Sequence, residues 1–227
     1  MNRSHVTPDR QSSDAVHRAI DGLYDTFGRY PVPARIEACP CCLDEAEKTL
    51  LLSKPLRQLE GAELVGYTAN VFLTVGAIAD FLYFLPRILE ICAEDEHWPD
   101  PEIVLGKLPL ASWTEWPAPE QAAVREYCDA VFAHILATDE TGDDLDSWLC
   151  ALARGGLALP AYLAFLQENK TAFLAWYHWN SAARRQGRLA NPFWESIPEE
   201  AAQVMEWLAS AEIQPLVRDD AAATGRP

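Results

Sequence analysis

Apolar residues recur at helical spacing along most of the chain. In the segment DAVHRAIDGLYDTF, Val16, Ile20, Leu23 and Phe27 fall on one face of a helix, and PEQAAVREYCDAVFAHILA repeats such a pattern. No stretch shows the apolar–polar alternation of a half-buried strand, and no hairpin signal occurs. The pattern therefore predicts an all-α fold, a single-domain bundle of about eight or nine helices.

Two segments, 64–79 and 81–93, have the highest apolar density in the chain. Only a short turn separates them, so we expect two neighbouring core helices, with the Asp80 carboxylate capping the second. Phe84 should lie in the core that they form. Pro86 should kink the second helix or break it, because proline lacks the backbone N–H that a helix interior uses.

The second of these helices also carries Arg87 among apolar neighbours. A guanidinium group in such surroundings requires a carboxylate partner if it is buried. Glu90, three residues further along the helix, and Glu63 in the preceding segment are the two candidates.

A stretch rich in tryptophan and proline, DEHWPDPEIVLGKLPLASWTEWPAP, interrupts the helical pattern. Its prolines and weak periodicity predict one long ordered loop, pinned by Trp98, Trp113 and Trp116. The polar ends of the chain predict a flexible tail over 1–12 and another over 219–227. The remainder, 13–218, is expected to form one helical domain.

Composition restricts the class of ligand that this chain can bind. Hydrophobic residues make up 49% of the chain, which is typical of a folded globule. Lys and Arg number 18 against 34 Asp and Glu, a net charge of −16, so nucleic acid and anionic membranes are disfavoured partners. A basic protein or a cation would instead be attracted. We also expect a cytoplasmic protein with reduced cysteines, since the N-terminus lacks a secretory signal pattern.

Three of the six cysteines, Cys39, Cys41 and Cys42, fall within the four residues CPCC, just before a predicted short helix. Three interpretations remain open for this cluster: a metal site, a redox site, or buried structural thiols. Tetrahedral zinc requires four ligands, and no second C-x-x-C pair occurs. Further ligands would have to come from distant residues: Cys92, Cys128, Cys150, His97 or His134. Cys92, Cys128 and Cys150, however, lie on apolar helix faces and are expected in the core.

Acidic residues cluster in two places, near the end of the second core segment and around residue 140. Solvated loops and helix caps explain most such clusters, but a surface that matches a basic partner is the alternative. The candidate partner-binding residues are Glu94, Asp95, Glu96, Asp139, Glu140, Asp143, Asp144 and Asp146.

The motifs CPCC at 39–42, DFLYFLPRILE at 80–90 and QVMEWLAS at 203–210 are similar to those of one bacterial protein group. The chain resembles these helical proteins, which share a cysteine cluster, a D-F-x-x-F-L-P-R helix and a closing helix with a Trp–Leu pair. The resemblance spans residues 35–216, although Leu82 and Tyr83 stand where that group often has polar residues. It implies a bacterial cytoplasmic protein with one continuous domain, and it implies no activity.

No catalytic motif emerges from the sequence, which lacks G-x-S-x-G, H-E-x-x-H, a Walker loop and G-x-G-x-x-G. The leading functional prediction is therefore a non-enzymatic acidic protein that binds another protein, such as an immunity or antitoxin-type inhibitor of a basic toxin. The alternative is a zinc- or thiol-dependent protein centred on the CPCC cluster. No cofactor is predicted, apart from a structural zinc ion if these cysteines ligate a metal.

Overall fold

The computed structural model describes residues 8–94 and 99–224. The described residues form helices joined by loops and 3-10 turns, with two isolated β-bridges and no strand among them. The all-α fold is therefore confirmed, with more and shorter helices than the sequence pattern indicates. The α-helices are α1 (Pro8–Phe27), α2 (Glu45–Ser53), α3 (Gly61–Asn70), α4 (Ile78–Glu94), α5 (Pro101–Leu105), α6 (Lys107–Leu110), α7 (Ala118–Thr138), α8 (Asp143–Arg154), α9 (Leu159–Glu168), α10 (Lys170–Trp179), α11 (Ser181–Arg184), α12 (Pro198–Ala209) and α13 (Ile213–Thr224).

The chain divides into two compact units, and the division falls inside α7, after Val131. The region that the sequence predicts as one domain, 13–218, thus comprises two units, each with its own buried apolar side chains. Helical residues also extend into both predicted tails. Helix α1 already begins at Pro8, where proline suits the first turn of a helix, and α13 continues to Thr224.

Helix α4 supplies much of the core of the first unit. Phe84 is completely buried, as predicted, with the rings of Tyr67 and Tyr83 at 4.8 and 4.9 Å between centroids. Helix α1 packs along α4, and so does α3. The helix runs without a break through Pro86, so the predicted break is absent. Arg87 donates to Glu90 at 2.7 Å, which selects one of its two predicted partners, and to the Leu59 carbonyl at 2.7 Å.

The apolar segment 64–79 is not one helix. Helix α3 ends at Asn70, and Phe72 and Gly76 both have a φ of 65°, a left-handed conformation that no helix continues. The Lys107 ammonium, which is buried, donates to the Ala69 carbonyl at 2.7 Å and so satisfies an oxygen at the end of α3. Residues 71–77 therefore form a loop between α3 and α4.

Asp80 satisfies the start of α4 in a different way from the predicted cap. It lies within the first turn, and its carboxylate accepts from the Ala77 backbone N–H at 2.9 Å, not from residues 81–83. Burial of this carboxyl raises its pKa.

The predicted long loop before α7 contains the two short helices α5 and α6 and a 3-10 turn at Trp113–Glu115. Proline does not exclude these helices, because Pro101 occupies the first position of α5, where no backbone donor is needed. Trp113 and Trp116 are buried, which confirms that they pin this region. Trp98 lies outside the described residues.

In the second unit, the buried side chains of α8 and α10 surround one carboxylate. Asp146, which is 1% exposed, accepts from Trp176 Nε1 at 2.9 Å, from Asn180 Nδ2 at 3.1 Å and from the Asn191 backbone N–H at 2.9 Å. Burial raises the pKa of Asp146 although these donors oppose the shift. Three converging donors explain how a charged group is tolerated in this core.

None of the described helices combines the length and the apolar character that a membrane span requires.

Candidate metal centre

The CPCC motif forms a tight turn directly before α2. The Cys39 carbonyl accepts from the backbone N–H groups of Cys42 at 2.9 Å and Leu43 at 3.1 Å, with Pro40 at a position that favours such a turn. Leu43 is buried and anchors the end of the turn. Asp44 then caps α2, because its Oδ1 accepts from the Ala46 and Glu47 backbone at 2.8 and 2.9 Å. The sequence prediction of a helix from about Asp44 to Ser53 is confirmed.

The loop between α3 and α4 anchors the other side of this turn. The Cys39 backbone N–H donates to the Thr74 carbonyl at 2.9 Å, and Gly76 donates to the Glu37 carbonyl at 2.7 Å. Ala38 and Val75 thereby form an isolated antiparallel bridge. The cluster is thus attached to the core of the first unit by backbone hydrogen bonds and not by side chains alone.

The three sulfur atoms converge at the surface of this turn. Cys39 Sγ lies 2.7 Å from Cys41 Sγ, Cys41 Sγ lies 3.7 Å from Cys42 Sγ, and all three fall within 4.8 Å of one another. Cys41 is exposed, and Cys39 and Cys42 are half-buried. Two sulfurs bound to one zinc ion at about 2.3 Å are about 3.8 Å apart at the tetrahedral angle. The Cys41–Cys42 pair already has that separation, and the Cys39–Cys41 pair needs to open by about 1 Å.

Donors surround the Cys39 sulfur and favour its thiolate. Its contact with the Cys41 thiol, together with the backbone N–H groups of Cys41 and Cys42, lowers the pKa of Cys39. The hydrogen bonds that Cys41 shares with Cys39 and Cys42 raise its own pKa to about 11. The thiolate is the form that binds a metal ion or attacks an electrophile, so the lowered pKa of Cys39 favours either chemistry at its sulfur.

The carboxylates near the cluster are engaged elsewhere. Asp44 caps α2, Glu47 accepts from the Asp44 backbone N–H at 2.7 Å, and Glu37 pairs with Arg35 at 2.6 Å. Within the described ranges, the set of convergent ligand atoms consists of the three cysteine sulfurs. A bound ion would therefore have a donor set of sulfur only from these side chains.

The distant cysteines do not join this set. Cys128 and Cys150 are buried in helices, as predicted, and Cys92 is half-buried on α4. Burial raises the pKa of Cys92 and of Cys128, which keeps both as neutral thiols. His134 lies on α7 and is not part of the convergent set, and His97 lies outside the described residues.

The predicted acidic surface is only partly exposed. Asp146 is buried, so its assignment to that surface is wrong: its carboxylate has three internal donors and stabilises the core. Asp139 is half-buried and accepts from the Gly142 and Leu145 backbone at 2.8 and 2.9 Å, at the start of α8. Asp143, also half-buried, accepts from the Thr141 hydroxyl.

Of the other five predicted acidic residues, three are exposed and two lie outside the described residues. Glu94, Glu140 and Asp144 are exposed. Asp95 and Glu96 lie outside the described residues. The acidic surface of the described chain is therefore smaller than the eight residues that the sequence suggests.

Sequence reasoning missed the loop that anchors the cluster. Asn70 and Gly76 flank the run VFLTV, and both are residues that commonly end a helix or form a turn. These two residues indicate a helix end within the apolar segment, but the high apolar density of the segment favoured a continuous helix in the prediction. The pairing of this loop with Glu37 and Cys39 is a tertiary contact that no local pattern indicates.

Comparisons of this chain with protein-family models, with curated proteins and with solved structures found no match.

Proposed function

We propose that the protein binds a thiophilic metal ion through Cys39, Cys41 and Cys42. The observation that carries this proposal is the convergence of three sulfur atoms within 4.8 Å on a turn that backbone hydrogen bonds hold. Structural thiols are usually buried in apolar surroundings, whereas these are exposed or half-buried. The role proposed is binding of the ion, and no substrate or reaction is assigned.

Thiolate ligands require a reducing compartment, since disulfides form and persist in oxidising ones. As part of the same proposal, we place the protein in the cytoplasm.

Elemental analysis of protein purified without chelator or affinity-tag metal tests the proposal. We expect about one metal ion per chain in the wild type, and less than about a tenth of that in the double variant Cys39→Ser, Cys42→Ser. Cys92→Ala is the control, because it removes a thiol outside the cluster and leaves the cluster intact. Equal metal content in the double variant and the control would refute the proposal, as would failure of the metal-free protein to take up any ion.

A second proposal concerns the acidic surface: the protein also binds a basic protein partner, as an immunity or antitoxin-type inhibitor does. The net charge of −16 and the exposed Glu94, Glu140 and Asp144 support it, because such charges accelerate association with a basic surface. We would capture partners from the native host with the wild type and with the triple variant Glu94→Gln, Glu140→Gln, Asp144→Asn. A basic partner that the variant loses, and that high salt releases, is the expected result. Capture that is insensitive to both changes would contradict it.

A further inference from the structure

The cysteine cluster offers three ligands where zinc commonly takes four. In structural sites zinc is surrounded by four protein donors, and in catalytic sites by three donors and a water molecule. The described side chains supply three sulfurs at this turn, and the neighbouring carboxylates of Glu37, Asp44 and Glu47 are already hydrogen-bonded. A fourth ligand from one of these carboxylates would therefore require loss of a hydrogen bond at the start of α2 or of the Arg35–Glu37 ion pair.

We infer that the cluster is a three-thiolate site for monovalent copper, with each of Cys39, Cys41 and Cys42 as a ligand. This inference rests on the proposed metal-binding function and names its ion. Thiolates select soft ions, among them Cu⁺ and Zn²⁺. Of these two, Cu⁺ is satisfied by three sulfurs, whereas Zn²⁺ would retain an exposed water molecule.

The geometry of the turn suits three-fold coordination. Three sulfurs at about 2.3 Å from one ion in a plane are about 4 Å apart. The 3.7 Å between Cys41 and Cys42 is therefore compatible with trigonal as well as tetrahedral coordination, and the number of ligands distinguishes the two. Cys39 and Leu43 are fixed at the ends of the turn, by the Thr74 carbonyl and by burial respectively. The side chain of Cys41 is exposed between them, so it can rotate to open its 2.7 Å contact with Cys39.

The role of Cys41 separates this site from an ordinary zinc site. In a C-x-x-C zinc site, Cys39 and Cys42 would be the ligands and Cys41 would be dispensable. In a three-thiolate copper site all three sulfurs bind the ion, so loss of any one removes a third of the donor set. Replacement of Cys41 alone therefore distinguishes the two arrangements.

The test uses the full chain, freed of metal under anaerobic conditions. Cu⁺ is supplied as its acetonitrile complex in competition with bicinchoninate, and Zn²⁺ is titrated separately against a chromophoric chelator. The wild type, Cys39→Ser, Cys41→Ser, Cys42→Ser and the control Cys92→Ala are compared, and far-UV circular dichroism verifies that each remains folded. X-ray absorption at the copper edge counts the sulfur ligands.

We expect one Cu⁺ per chain with three sulfur ligands, and a fall in Cu⁺ affinity of about 100-fold or more in each of the three cluster variants. The control should bind as the wild type does. A Cys41→Ser variant that retains its Cu⁺ affinity within about threefold, or two sulfurs at the copper edge, would overturn the inference. Zn²⁺ binding that requires only Cys39 and Cys42 would overturn it too, yet would leave the proposed metal-binding function standing. If neither ion binds, the proposed function itself fails.

Discussion

Replacement of Phe84 by alanine provides a direct test of the core of the first unit. The side chain is completely buried on α4 and contacts two other aromatic rings, those of Tyr67 and Tyr83. Alanine would leave a cavity that the surrounding helices cannot close without moving. A buried Phe→Ala change costs about 3–5 kcal/mol. Since each aromatic pair contributes about 0.5–1.5 kcal/mol beyond burial, we expect a loss in the upper half of that range.

Urea unfolding, followed by circular dichroism and by tryptophan fluorescence, measures this loss. With a slope of about 2 kcal/mol per molar urea, a loss of about 4 kcal/mol lowers the midpoint by about 2 M. Phe165→Ala is the matched control, because Phe165 is 41% exposed and should lose less than about 1 kcal/mol. The slope must stay unchanged for the comparison to hold.

A loss below about 1 kcal/mol for Phe84→Ala would refute the reasoning. That result would mean that the apolar face of α4 is exposed in solution. This face, rather than the acidic residues, would then be the surface to which a partner binds.

Three further predictions concern the supports of the site. Lys107→Met should lower the free energy of unfolding by about 1–3 kcal/mol, because the Ala69 carbonyl loses its donor. The control Lys54→Met removes a partly exposed ion pair and should lower it by under about 1 kcal/mol. Equal losses in the two variants would contradict the argument. Asp44→Ala should lower the free energy of unfolding in urea by about 0.5–2 kcal/mol, because the cap of α2 is lost, whereas Asp44→Asn should retain most of the capping energy. Equal stability of the two variants would exclude capping as the cause. Burial raises the pKa of Asp80 in the folded state, so its contribution to stability is full below the unfolded pKa and is lost as pH rises through the folded pKa. The stability of Asp80→Asn relative to the wild type should therefore increase as pH rises above the unfolded pKa of about 3.9, and a constant difference in urea titrations would refute this sign.

Local patterns in the sequence were sufficient for the fold class and for several single residues. Helical spacing of apolar residues predicts the all-α fold, because a helix must bury one face whatever its neighbours are. The burial of Phe84, Trp113 and Trp116 follows from similar local arguments, whereas the structure was needed to choose Glu90 over Glu63 as the partner of Arg87. Helix ends were less predictable. Residues 64–79 contain no charged residue, and their high apolar density outweighs the turn signals of Asn70 and Gly76, so the left-handed conformations of Phe72 and Gly76 are not predicted.

In the candidate site, too, one part follows from local sequence and another part depends on the tertiary structure. The CPCC spacing alone predicts that Cys39, Cys41 and Cys42 lie close together, because a turn of four residues leaves them no alternative. Whether further ligands join them depends on distant residues, and only the tertiary structure decides that Cys128 and Cys150 are buried elsewhere. The sequence also cannot show which acidic residues are exposed, since Asp144 and Asp146 are both aspartates in one acidic run.

For Asp146, three donors that are 30 to 45 residues away in sequence converge on the carboxylate and compensate its burial, while Asp144 remains exposed. The sequence by itself thus determined that the fold is all-α and which cysteines are neighbours, because both follow from spacing within a few residues. Only the tertiary structure decided where the helices stop, which acids are buried and what anchors the cysteine turn. Those features depend on hydrogen bonds between residues that are distant in the chain.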